Sequence, residues 1–131
     1  EFEVEDLEQV SYLGKMSYDN VQEYIRKANV CVFPSFAETF GMVTIEAMAM
    51  QKPVVSNDFG WSQELIVSGQ NGFLVHPKKH TDFAKTIVTL LEDEHLCEKI
   101  GAAARHRVES IFDIQQIVQQ NVDFYESIIS K

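Results

Sequence analysis

The chain has 131 residues, 45% of them hydrophobic and 24% charged, which suits one ordered domain with a single core and excludes a disordered segment. Its formal net charge of −9 repels phosphate backbones and anionic lipid, which argues against nucleic-acid partners and direct membrane contact; a phosphate ligand would need a local site of backbone N–H groups or a few placed cations. No apolar run is long enough to span a bilayer, no secretory signal is present, and neither Cys31 nor Cys97 has a spaced His or Cys partner, so no metal is expected and the two thiols point to a reducing cytoplasm.

The chain opens Glu1-Phe2-Glu3 without Met and reads as a segment excised from a longer protein. Val10-Ser11-Tyr12-Leu13 predicts a strand, ended by Gly14. Ser17 then caps a helix over about 18–28, with Val21, Tyr24, Ile25 and Ala28 on one face. Val30-Cys31-Val32-Phe33 is a continuous apolar run, the mark of a strand buried on both faces, and Pro34 stops it. A loop leads to a helix over about 42–50. Pro53-Val54-Val55-Ser56 predicts a second buried strand, closed by the turn-forming Asn57-Asp58-Phe59-Gly60.

Ser62 is expected to cap a short helical turn carrying Glu64-Leu65-Ile66. Asn71-Gly72 signals a turn, and Phe73-Leu74-Val75 a further strand. Thr81 is expected to cap a helix over about 82–92 with Phe83, Ile87, Leu90 and Leu91 inward. Helices near 94–110 and 113–129 finish the chain. Strands alternating with helices predict an α/β domain: a doubly wound, Rossmann-like parallel sheet with helices on both faces. In such sheets ligands bind beyond the carboxyl ends of the strands, so the informative loops are 14–17, 34–42, 57–62 and 76–80.

The richest stretch runs from Pro34 to Ala49. It leaves a buried strand, turns and enters a helix. Glu38 falls in the loop and Glu46 about one turn into the helix, so both carboxylates can face one crevice. Gly41 between them lets a ligand approach the backbone. The N–H groups of Gly41, Met42 and Val43 open the helix and form a ready anion site, suited to a diphosphate. An ionised acid accepts two hydroxyl hydrogen bonds, which suits ribose and sugar. Together these groups describe a nucleotide-sugar. Each acid also has a plain reading: Glu46 as a solvated residue favoured by a helix start, Glu38 as a surface loop residue. His76, His80, His95 and His106 are scattered and are not read as catalytic.

The run Pro34-Ser35-x-x-Glu38-x-Phe40-Gly41-x4-Glu46-Ala47-Met48-Ala49-x3-Pro53-Val54-Val55 closely resembles the carboxyl-terminal domain of family 4 retaining glycosyltransferases, enzymes of the two-domain GT-B fold. Gly60-x3-Glu64-Leu65-Ile66 resembles the family's Gly-Gly-x-x-Glu turn, Gly69-x2-Gly72-Phe73-Leu74-Val75 the next turn and strand, and Leu13-Gly14-Lys15-Met16 its Leu-Gly-x-Val segment. The resemblance covers roughly residues 10–130. It implies that Glu38 touches the transferred sugar as the catalytic-site acid and that Glu46 binds the ribose. Backbone at Phe40, Gly41, Met42 and Val43 would hold sugar and diphosphate oxygens, and the loop Gly14-Lys15-Met16 would lie along the base. The donor would be a UDP-, GDP- or ADP-sugar, with no metal or other cofactor.

The acceptor, a growing glycan or lipid-linked saccharide, would be held by an amino-terminal domain that this chain lacks. The resemblance also implies an Arg and a Lys clamping the diphosphate. They would lie upstream of residue 1, and neither Lys15 nor Arg26 replaces them. The chain alone is therefore expected to bind donor weakly and to transfer nothing. The parent enzyme is expected in the cytoplasm, peripheral at the inner membrane face. Two departures stand out: Trp61 where the family usually has a second Gly, and Gln51 where it often has Gly. A ring at 61 would close the pocket, stack on a ligand or simply pack. In the last helix, Ile114, Ile117, Val118, Val122, Tyr125 and Ile129 form an apolar stripe that either packs on its own domain or drives dimerisation.

Competing classes fit less well. A GT-B phosphorylase needs a lysine holding pyridoxal phosphate, and no lysine has that context. A receiver domain with Asp58 as phosphoacceptor needs an acidic pair after its first strand and a Lys after its last. A nucleotide-sugar-binding module that never catalyses is the remaining alternative.

Overall fold

The computed structural model describes residues 9–37 and 39–129. In chain order the elements are α1 (Tyr18–Lys27), β1 (Cys31–Phe33), α2 (Met42–Ala49), β2 (Val54–Ser56), α3 (Ser62–Leu65), β3 (Phe73–Leu74), α4 (His80–Glu92), α5 (Glu94–Phe112) and α6 (Ile114–Ile129). The three strands form one parallel sheet in the order β1-β2-β3, with Cys31 opposite Val54 and Val55 opposite Phe73. Parallel neighbours need crossover connections, and α2 and α3 supply them.

All three side chains of β2 are buried. A strand alternates its side chains between faces, so Val54 and Val55 need separate cores. They have them. Val54 packs among Ile45, Met48, Leu65, Ala104 and Val108, while Val55 packs with Phe83, Leu90 and Ile100. The sheet is thus covered on both faces, as a doubly wound domain requires.

Helix α5 locks the arrangement. Gly101 lies so close to the carbonyl of Gln51 that a Cβ there would collide with backbone. Gln51 itself stands just past α2 with φ 59. Its N–H donates to the Met48 carbonyl at 3.0 Å, and the Lys52 N–H to the Ala47 carbonyl at 3.0 Å. These two bonds make a Schellman closure, whose left-handed position favours glycine. That explains the departure at Gln51: the conformation asks for Gly, and this chain holds it with Gln. Two guanidiniums of α5 reach further helix ends. Arg105 Nη1 donates to the Ala49 carbonyl at 2.9 Å, and Arg107 Nη2 to the Glu64 carbonyl at 2.9 Å. Cations at the last carbonyls of α2 and α3 complement those helix dipoles.

Several local expectations are corrected. Residues 10–13 form no strand; Val10, Tyr12 and Leu13 are exposed, and with no partner among the described residues their β propensity has nothing to act on. β1 is not buried on both faces: Cys31 is buried, whereas Val32, on the opposite face of the strand, is exposed. The short helix α3 starts after Trp61, and Ser62 lies inside it, its hydroxyl 3.1 Å from that of Ser56. α4 starts at His80 with Lys79 before it, so Thr81 sits in the first turn and caps nothing. Leu91 points outward, one position off the stripe that buries Phe83 and Leu90. Among the described residues none of α6 is buried, and of its apolar stripe only Ile117 is half-buried.

Candidate functional site

The turns after β1 and β2 and the start of α2 lie together at the carboxyl ends of the strands. α2 opens at Gly41, which is buried and left-handed at φ 67. Only glycine takes that conformation without strain, and it turns the chain from loop into helix. The Thr44 and Ile45 N–H groups already bond the Gly41 carbonyl. Among the described residues, no side chain caps the terminus. The first amides of α2, at Met42 and Val43, therefore remain as donors for an anion. Met42 is exposed, and Val43 packs against the core and anchors the turn.

Glu46, one turn further on, is half-buried. It accepts a hydrogen bond from Tyr18 Oη at 3.0 Å. Tyr18 is the first residue of α1, held by Ser17, whose hydroxyl accepts the Asn20 N–H. The loop Gly14-Lys15-Met16 leads directly into it. Gly14 and Lys15 are exposed and Met16 is half-buried. The Tyr18–Glu46 bond thus ties the loop assigned to the base to the acid assigned to the ribose. Tyr18 was not anticipated from sequence, although its place behind the Ser17 cap and beside that loop was a usable signal.

Phe40 and Trp61 join the next two loops. Their rings stack at 4.6 Å between centroids, and Phe112 closes the cluster edge-on to Phe40 at 6.0 Å. Trp61 therefore packs within the protein, on the residue before Gly41. Phe59 lies 5.7 Å from the His76 ring, which brings in the loop after β3. Of the residues assigned from sequence, the structure gathers Phe40, Gly41, Met42, Val43 and Glu46, and reaches the 14–16 loop through Tyr18. Glu38 lies outside the described residues.

A cleft of about 410 Å³ opens between the loops after β1 and β2, walled by Phe36, Thr39, Asn57 and Gly60 among others. Another, of about 430 Å³, lies at the opposite end of β2 beside Lys52, Pro53 and Cys97. In parallel α/β sheets ligands take the carboxyl side of the strands, so the first is the candidate site. Both cysteines are free thiols, and burial raises the pKa of each above the ordinary thiol value. Among the described residues, no group of three or more His, Cys, Asp or Glu side chains is placed to hold a metal, and no helix is long and apolar enough to cross a membrane.

A parallel sheet covered by helices on both faces, with a helix start and a cleft at the carboxyl ends of its strands, defines an α/β domain of the GT-B type. Residues 3–107 match the family model described as glycosyl transferases group 1, and the chain belongs to that family. A capsular polysaccharide biosynthesis glycosyltransferase of Staphylococcus aureus, CapM, is 34% identical over 108 residues, 82% of this chain and 28% of CapM. A sucrose-phosphate synthase of Thermosynechococcus elongatus superposes with a TM-score of 0.84 at 32% identity, over 94% of this chain and 31% of that one. HepE of Anabaena, solved in complex with UDP and glucose, superposes at 0.76 with 32% identity, over 82% of this chain and 30% of its own. The chain thus spans under a third of the length of each of these relatives.

Proposed function

We propose that this chain is the donor-binding domain of a retaining, family 4 glycosyltransferase that moves a sugar from a nucleotide-sugar to a growing glycan or lipid-linked saccharide. The observation that carries the reading is the Tyr18–Glu46 bond one turn past the α2 start: a fixed carboxylate beside a helix terminus that no described side chain caps. Glu46 takes the ribose hydroxyls, and the amides of Gly41, Met42 and Val43 take the diphosphate. Charge grows on the diphosphate as the sugar leaves, and donors already in position stabilise it without reorganisation. Glu38 takes the transferred sugar near the reacting carbon.

UDP with glucose bound to HepE, and the capsular polysaccharide role in CapM's name, support a nucleotide-sugar donor and a glycan acceptor. Acceptor binding and water exclusion belong to the rest of the parent protein. This chain by itself binds donor weakly and transfers nothing. The reading sets the enzyme in the cytoplasm, peripheral at the inner membrane face, and assigns the bare α6 stripe to association with a second copy, which sedimentation at rising concentration tests. A thermal-shift screen of UDP-, GDP- and ADP-sugars against the chain and its Glu46→Ala variant tests the donor site. Stabilisation by at least one donor, lost in the variant, is expected; no shift at millimolar donor sinks it.

A further inference from the structure

Among the described residues, three buried side-chain atoms have no hydrogen-bond partner: Asn57 Oδ1, Asp58 Oδ1 and Trp61 Nε1. All three stand on one short turn at the carboxyl end of β2. Buried polar atoms in native proteins are nearly always paired, so three orphans on one turn call for a ligand-side explanation.

Asn57 is the best defined of them. It is 2% exposed. Its amide nitrogen donates to the Ser35 carbonyl at 2.7 Å. A carbonyl can only accept, so that bond settles which end of the amide is nitrogen. The oxygen is left as an acceptor with two lone pairs and no partner. The residue also forms part of the wall of the 410 Å³ cleft, opposite Phe36 and Thr39. An uncharged acceptor repels phosphate oxygens, which are acceptors too, but suits a hydroxyl. The anchoring on Ser35 couples the turn after β2 to the loop after β1, so the acceptor is held by two elements of the sheet.

We propose that Asn57 is a specificity-determining residue of the donor site, its Oδ1 accepting a hydrogen bond from a hydroxyl of the transferred sugar. This rests on the donor-site reading above and extends it to the sugar.

The test is calorimetric titration of the chain and its Asn57→Ala variant with UDP, GDP and ADP and with UDP-glucose, GDP-mannose and ADP-glucose. The expected result is a three- to tenfold loss of affinity for the bound sugar conjugate, with its nucleoside diphosphate unchanged within about twofold. Equal loss for both means that Asn57 only shapes the turn, and overturns the proposal. So does equal affinity of the wild-type chain for conjugate and diphosphate. Should the variant fail to fold, the side-chain ¹⁵N–¹H signals of wild-type Asn57 decide: they must move with the conjugate and not with the diphosphate. Binding of none of the six ligands overturns the donor-site reading itself, and this assignment with it.

Discussion

Tyr18 Oη lies 3.0 Å from the carboxylate of Glu46, joining the start of α1 to the second turn of α2 across 28 positions of sequence. The phenol holds one carboxylate oxygen and leaves the other for a ligand. Tyr18→Phe removes the bond and keeps the ring. A hydrogen bond to a charged group contributes about 1.5–3 kcal/mol, and a partly exposed one falls at the lower end. We expect nucleotide affinity to fall about three- to tenfold with the melting temperature nearly unchanged, since both groups remain solvated in the variant. Calorimetry beside thermal melting checks this.

The Gly101–Gln51 contact sets a stability prediction. Gly101→Ala drives a methyl group into backbone, which cannot rotate away as a side chain would. Overpacking of this kind costs about 1–3 kcal/mol. Gln51→Gly acts the other way: it relieves a left-handed non-glycine and should stabilise by about 0.5–1 kcal/mol, against the extra freedom glycine gives the unfolded chain. Urea unfolding of both variants should show opposite shifts of the midpoint.

Trp61 is the single tryptophan of the chain. Stacked on Phe40 beside Gly41, it reports on the site. Donor binding at the α2 start should change its emission, and Trp61→Gly, which restores the residue usual in the family, should lose that signal. Losing the stack and the Phe112 contact should cost about 2 kcal/mol of stability. Unchanged stability would mean that the aromatic cluster does not hold the loops together.

Cys31 gives a pH dependence. Burial raises its thiol pKa, so the folded state holds the proton after the unfolded state has lost it. The stability this confers is fully present below the unfolded thiol pKa of about 8.5 and is lost as pH rises through the folded value. Unfolding midpoints should fall above about pH 8.5, and Cys31→Ala should flatten that fall. Cys97, raised for the same reason, should leave a residual slope.

The legible part of the fold was the part encoded by buried apolar runs. Val54-Val55 announced a strand covered on both faces, and the structure gives each its own core. The Ser17 cap and the turn into α2 were equally readable, because a single residue decides each. Val10–Leu13 misled because strand propensity needs a paired neighbour. Ser62 misled because its hydroxyl has another bond to make, to Ser56 inside the core, and Thr81 because α4 already starts at His80. The site was legible where backbone carries it, at Gly41 and the residues after it. Tyr18, Asn57 and the Phe40–Trp61 stack were not, since each depends on which distant loop meets which. The guanidiniums of Arg105 and Arg107 escaped notice for the same reason: they cap helices that lie 56 and 43 positions away.

The central claim is that a nucleotide-sugar docks on the α2 start beside Glu46. The most direct measurement is a ¹⁵N–¹H titration of the chain with UDP-, GDP- and ADP-sugars. The account predicts that at least one of them moves the amides of Gly41, Met42 and Val43 together with those around Tyr18 and Glu46, and that Glu46→Ala weakens this binding about tenfold or more. Shifts confined to the opposite cleft beside Lys52 and Cys97, or binding untouched by Glu46→Ala, would contradict it.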